Sequence, residues 1–270
     1  MQRAEIFEKL WKEYVALTPS ALKIHQLFES KGEKVYNDHI AFRTYNDKRV
    51  GIEELSKPFL ACGYVAKGEY FFKEKKLYAK HFQHEDPAAP KIFISELKLE
   101  ECSDFVRNTA KACVDSISKD LLTSGKLIFS GRPWGKPSYA TYQQLREESE
   151  YAAWMYVYGY CANHFTVNVN MLKSFKTLES VNQFLKDNGF KLNSSGGEIK
   201  GTPQELLQQS STLADMRKTE FVEGIYEVPS CYYEFALRYA DANGKLYDGF
   251  IAASADKIFE STDLKLQMSM

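Results

Sequence analysis

The chain is 270 residues long, 44% hydrophobic and 26% charged, with 35 basic and 36 acidic side chains and a formal net charge of −1. This composition excludes disordered and fibrous classes, and the balanced charge offers no bulk attraction to nucleic acid or to an anionic membrane surface. The longest apolar run, Tyr151 to Tyr158, falls far short of the roughly 20 residues of a membrane span. Five scattered cysteines without a CxxC pair read as reduced thiols of a cytoplasmic protein rather than a disulfide framework.

Ile6, Phe7, Leu10, Trp11, Tyr14 and Val15 recur at helical spacing and predict an amphipathic helix over about Ala4 to Ala16. Thr18-Pro19 supplies a capping hydroxyl and a first-turn proline, so a second helix follows with Ile24, Leu27 and Phe28 inward. Asp38 to Tyr45, DHIAFRTY, reads as a strand, and Gly51 to Gly63 as a helix stopped by glycine. Tyr64 to Phe72, Leu77 to Gln83 and Lys91 to Leu99 read as three further strands. Ser103 to Leu122 has the period of one helix capped by Ser103, and Tyr139 to Tyr158 of another, with a turn-rich loop around Arg132 between them.

The earlier order then recurs. Asn163 to Asn170 alternates like a strand, and Thr177 to Gly189 is a helix with a glycine stop. Phe190 to Lys200 reads as a strand hairpin around a Ser-Ser-Gly-Gly turn, and Leu213 to Val222 and Cys231 to Tyr239 as the next strands, with Pro203 to Gln209 as an insertion. An internal repeat of this kind points to two copies of one supersecondary unit. The expectation is an α+β fold forming one catalytic domain over 1–270. Its N-terminal helices span about 4–30, a first βαβββ unit about 38–100, a helical insert about 103–160 and a second βαβββ unit about 163–250.

Each unit opens on a strand of the form (D/N)-H-(I/F). A strand repeats every two residues, so His39, Ala41 and Arg43 share a face, as do His164, Thr166 and Asn168. Each last strand carries a glutamate among apolar residues, Glu96 in the first unit and Glu234 in the second. A buried carboxylate needs a cation, a metal or a proton. Two neutral imidazoles and one carboxylate form a set that leaves coordination positions open and suits non-haem Fe(II). Arg43, four residues after His39, is placed to pair with a substrate carboxylate. Taken singly, each of these residues has an ordinary structural reading: a satisfied strand histidine, or an ion pair of Glu234 with Arg238 or a lysine. Glu96 reads either as a fourth ligand, by the repeat, or as a support behind the ligands. His81 and His84 lie on opposite strand faces, one toward the interior and one toward solvent.

The motifs DHIAFRT (Asp38 to Thr44), KHF (Lys80 to Phe82), FISEL (Phe93 to Leu97), NHFTVNVN (Asn163 to Asn170), GTPQELLQQSST (Gly201 to Thr212) and CYYEFALRY (Cys231 to Tyr239) resemble those of the 2-oxoadipate dioxygenase/decarboxylase family, from about Asp38 to Gly249. The resemblance implies a fold related to the vicinal oxygen chelate architecture, with paired βαβββ units around a metal cavity. It implies Fe(II) held by His39, His164 and Glu234, for which Zn or Ni could substitute in a preparation. It gives Arg43 as the substrate-binding and catalytic arginine, and leaves Glu96 and His81 as supports rather than ligands. The implied reaction is oxidative decarboxylation of 2-oxoadipate with O2 to 2-hydroxyglutarate and CO2, in lysine breakdown. The implied partners are a small 2-oxo acid and O2, with no nucleic acid and no membrane. Better-known members resemble this chain but are longer and use a C-terminal segment near the substrate. Here the expectation is a pocket that is more open or closed by different residues. The competing readings are a glyoxalase-like metal-dependent isomerase or hydrolase, and a ligand-binding protein without turnover.

Overall fold

A computed structural model describes residues 1–264. Two helices open the chain, α1 (Arg3–Leu17) and α2 (Pro19–Ser30), with Ile6, Leu10 and Tyr14 buried one turn apart and Pro19 at the first position of α2. The first repeat is complete: β1 (Asn37–Tyr45), α3 (Ile52–Leu60), β2 (Val65–Phe72), β3 (Leu77–Gln83) and β4 (Lys91–Leu97). Among the described residues no helix is long and apolar enough to cross a membrane.

The helical insert differs from expectation in its breaks. Ser103 to Leu122 is divided into α4 (Asp104–Asp115) and α5 (Lys119–Thr123), because the Ser118 hydroxyl accepts from Leu121 N and starts a new helix. Tyr139 to Tyr158 is likewise divided into α6 (Tyr139–Glu148) and α7 (Glu150–Tyr158). Ser149 sits between them in extended conformation, its hydroxyl capping Ala152 N. A serine that bonds its own backbone competes with helix continuation, and helical period alone does not reveal it. Gly159 ends α7 at φ 66°, and a Cβ there would stand 2.2 Å from the Gly131 carbonyl, so only glycine fits where the chain turns toward the next strand.

The second repeat is modified. It contains β5 (Ala162–Asn168), α8 (Leu178–Asp187), β6 (Leu207–Ser211), β7 (Met216–Phe221), β8 (Gly224–Pro229) and β9 (Tyr232–Arg238). Phe190 to Lys200, expected as a strand hairpin, turns at the expected Gly196 and Gly197, both at positive φ, but its arms form no regular strand and touch the sheet only at isolated bridges, Leu192 to Thr212 and Lys200 to Gln209. The stretch expected as an insertion instead supplies β6. Leu213 to Val222 leaves the main sheet, and β7 pairs with the unexpected β8 as a separate hairpin. A last helix, α9 (Ala252–Phe259), also went unexpected.

The main sheet has the order β2-β3-β4-β1-β5-β9-β6 and curls into a half-barrel. Its halves meet where β1 runs antiparallel to β5, and each first strand is parallel to the last strand of its own unit, β1 to β4 and β5 to β9. One face is the apolar core. Phe165 packs on Trp11 and Tyr14, Phe42 on Phe59 of α3, and Phe235 on Phe28 of α2. The alternate residues, His39, Ala41, Arg43, His164, Thr166, Tyr232 and Glu234, therefore line the inner face. That face is covered by α7 and α9. The Tyr151 hydroxyl of α7 donates to Ser95 O at 2.7 Å, and the Trp154 indole N–H to Ser230 O at 2.6 Å.

Candidate metal centre

Three neighbouring strands each contribute one residue. His39 of β1 lies opposite Thr166 of β5, His164 lies opposite Ala41, and Thr166 lies opposite Glu234 of β9. All three side chains are buried, with one nitrogen or oxygen from each within 4.8 Å of the others. Among the described residues this is the one such group of three. His39 Nε2 stands 3.4 Å from Glu234 Oε1, and His164 Nε2 3.2 Å from Glu234 Oε2.

The opposite ring nitrogens are committed elsewhere. His39 Nδ1 is 2.8 Å from Asp38 Oδ1, and His164 Nδ1 is 3.0 Å from Asn163 Oδ1. A carboxylate accepts only, so His39 carries its proton on Nδ1; the amide oxygen fixes the same tautomer for His164. Both Nε2 atoms then face the Glu234 carboxylate. Burial, with His39 and Arg43 nearby, pushes His164 well below the usual histidine range, so it is neutral. Burial pushes Glu234 upward, and its Oε2 has no hydrogen-bond partner. Two imidazole nitrogens and a carboxylate thus converge with little to bridge them but the Gln209 amide, 2.6 Å from Glu234 Oε1, and the Thr166 hydroxyl, 3.1 Å from His39 Nε2. The missing component is a positive charge, and a divalent cation fits this donor set.

The two imidazoles are backed differently. Burial would raise Asp38, but Arg238 holds it well below the carboxylate range through paired bonds of 2.7 and 2.8 Å. His39 is therefore oriented by an anion with its own counterion, and His164 by a neutral amide. Arg238 pairs with Asp38 and not with Glu234, the partner considered from sequence.

Arg43 points to the same face as His39 and is 2% exposed. Its guanidinium lies 5.0 Å from the rings of both Tyr151 and Trp154, and its Nη2 donates to Thr262 Oγ1 at 3.3 Å. Its Nε and Nη1 have no acceptor among the described residues. Beside it opens a cavity of about 220 Å³ whose lining includes Lys75, Glu150, Tyr151, Phe259, Thr262 and Asp263. A buried cation with free donors and aromatic walls is an anion site. The Tyr232 ring stacks on His164 at 4.7 Å, and its unpartnered hydroxyl lies near Arg43.

The structure corrects the placement of Glu96. Glu96 pairs with Thr44, on the face turned away from His39. Its Oε2 accepts from Ile52 N at 3.0 Å and so caps α3. The register explains why: Lys91 lies opposite His39 as Tyr232 lies opposite His164. Two residues further on stand Phe93 and Glu234, so the counterpart of Glu234 is Phe93. His81 does lie on the inner face, but the Phe250 ring stands between it and the cluster, 5.3 Å from His81 and 4.8 Å from His39. Tyr70 and Gln83 occupy the His81 ring nitrogens. His84 belongs to a partly exposed turn with Arg3 and Asp86.

Of the two expectations for the pocket, more open or closed by different residues, the structure shows closure. Phe250, Ala255, Ile258 and Phe259, from α9 and the segment before it, close over the cluster and leave a cavity of about 10 Å³. Sequence reasoning assigned no role to Asp38, Asn163 or Gln209. The repeated (D/N)-H pair carried the signal for the first two, and Gln209 lies inside a quoted motif.

The family model for 2-oxoadipate dioxygenase/decarboxylase matches residues 6–126 and 118–245. A chloroplastic/amyloplastic 2-oxoadipate dioxygenase/decarboxylase of Oryza sativa subsp. japonica is 39% identical over 95% of this chain and 78% of its own length. The crystal structure of an Oryza sativa hydroxyglutarate synthase in complex with 2-oxoadipate superposes with a TM-score of 0.91 at 36% identity, covering 98% of this chain and 93% of that one. A Shewanella frigidimarina structure provisionally described as a hydrolase has a TM-score of 0.88 at 52% identity, covering 93% and 98%.

Proposed function

Because the chain belongs to the 2-oxoadipate dioxygenase/decarboxylase family, we propose that it converts a 2-oxo diacid, 2-oxoadipate, and O2 to 2-hydroxyglutarate and CO2, with Fe(II) held by His39, His164 and Glu234. The observation that carries this reading is the convergence of two imidazole nitrogens and a carboxylate from three strands beside a buried arginine that lacks an anion among the described residues. Bound there, Fe(II) supplies a template for the 2-oxo acid group and the electrons that activate O2.

The protein's own residues do the rest. Asp38 and Asn163 hold both imidazoles with Nε2 turned inward, and Gln209 fixes one oxygen of Glu234. His39 and Arg43 are four residues apart on one strand face, which separates their Cα atoms by roughly 13 Å. An extended diacid directed along that interval would bring its oxo end toward the cluster and its far carboxylate to Arg43 Nε and Nη1. Tyr232 adds a hydroxyl at the Arg43 end; burial pushes it well above the usual tyrosine range, so it stays a donor. Phe93, Phe250, Ile258 and Phe259 exclude water around the reacting atoms. The equation balances without further reactants: six carbons, eight hydrogens and seven oxygens stand on each side. A role in lysine breakdown and a cytoplasmic location belong to the same proposal, the latter resting on five free cysteines.

The test is oxygen uptake and CO2 release by iron-loaded protein given 2-oxoadipate. Both should be lost in Glu234→Ala, and Arg43→Ala should raise KM more than it lowers kcat. Absence of oxygen uptake with 2-oxoadipate or shorter 2-oxo acids, at stoichiometric iron, would sink the reaction and bring the isomerase or hydrolase reading forward.

A further inference from the structure

The space between Arg43 and the cluster is not continuous. One cavity, of about 220 Å³, opens at Arg43; a second, of about 10 Å³, adjoins His39, His164 and Glu234. The smaller has room for about one water and none for the oxo end of a diacid. Phe259 lines both cavities. Its ring lies 5.8 Å from the Arg43 guanidinium and 5.3 Å from the Phe72 ring. It closes α9, and the turn that follows carries Thr262, which touches Arg43. The segment that meets the anion anchor therefore also holds the partition.

We infer that Phe259 sets the length of 2-oxo diacid this site accepts, a deepening that rests on the function proposed above. An acid reaching from Arg43 to the cluster has to cross the place of this ring. How far the ring yields against Phe72 then decides how many methylenes fit. One methylene in an apolar pocket changes selectivity by roughly 10- to 200-fold, so a side chain of different bulk here shifts the preferred length. A ring that served only as core packing would change stability and leave the length preference alone.

The experiment measures dissociation constants of the five-, six- and seven-carbon 2-oxo diacids on Zn(II)-loaded protein by calorimetry, where no oxygen chemistry runs. The parent, Phe259→Leu and Phe259→Trp are compared. In Phe259→Leu the affinity for the seven-carbon acid should gain about tenfold relative to the six-carbon acid. In Phe259→Trp the six- and seven-carbon acids should lose about tenfold relative to the five-carbon acid. If all three acids bind the parent and their ratios stay within about twofold in both variants, the assignment of Phe259 is overturned and the function stands. If none binds the parent, the function itself falls and takes this inference with it.

Discussion

Phe93 stands on β4 where Glu234 stands on β9: each lies two residues beyond the partner of its unit's histidine. The two-fold repeat thus offers four inner-face positions around one point and fills three with side chains that could hold a metal ion. The fourth holds an apolar ring, 4.9 Å from Phe250. Phe93→Glu should tighten Zn(II) binding while abolishing oxygen uptake, because a fourth ligand takes a position that substrate and O2 need. Without metal the same variant should lose about 3 kcal/mol or more, from an uncompensated buried carboxylate. Zinc titration and chemical denaturation check both parts; unchanged zinc affinity would show that residue 93 does not face the metal.

The unequal backing of the two histidines gives unequal variants. Asp38→Asn removes the anion behind His39 and strands the Arg238 guanidinium. Stability should fall by about 3–5 kcal/mol and divalent-metal affinity by roughly 10- to 100-fold. Asn163→Ala removes one neutral hydrogen bond and should cost about 1 kcal/mol. Urea denaturation of the two metal-free proteins decides the point: equal losses would contradict the asymmetry.

Two groups away from the ligands give opposing pH slopes. Burial, with Lys91 and Arg238, pushes His81 down to about 4, so the unfolded chain binds this proton more readily and stability rises with pH up to the ordinary histidine value. Burial pushes Glu150 up to about 7, against Arg146 and with Asp263. The folded chain keeps that proton, and stability falls as pH rises from the ordinary carboxylate value through 7. Relative to the parent, His81→Gln should therefore lower the slope of stability against pH in the window between pH 4.5 and 6.5, and Glu150→Gln should raise it. Denaturation midpoints at four pH values in that window measure both, and shifts of the same sign would refute the assignment.

Among the described residues Arg43 is a buried cation without an anion, an arrangement that favours ligand binding over stability. Arg43→Met should leave the melting temperature unchanged or raise it by a few degrees. It should also weaken 2-oxoadipate binding by about 100-fold, as expected for losing a hydrogen-bonded charge pair. A melting temperature lowered by about 10 °C would make Arg43 a structural residue instead.

Most of the first unit was legible because its strands alternate and its helices end at glycine. The ligand strands were legible for a related reason: polar residues at period two on a strand otherwise built for a core are conspicuous. The second unit was harder to read. The Gly196-Gly197 turn was legible, but that its arms fail to join the sheet and that a hairpin leaves it are settled by tertiary packing, which period does not report. Glu96 shows the same limit at single-residue scale. FISEL and YYEFA look alike, but a shift of one residue turns a side chain to the other face, and only the pairing with Thr44 reveals that shift.

The cluster straddles the seam between the halves, taking His39 from one and His164 with Glu234 from the other. Neither half alone owns a complete coordination set. An ion held there would rivet the two repeats together across strands β1 and β5, whose facing residues are more than a hundred positions apart in sequence. Its binding energy becomes available only once that distant pairing has formed. The ion would thus slow the parting of the halves and do little for either half on its own.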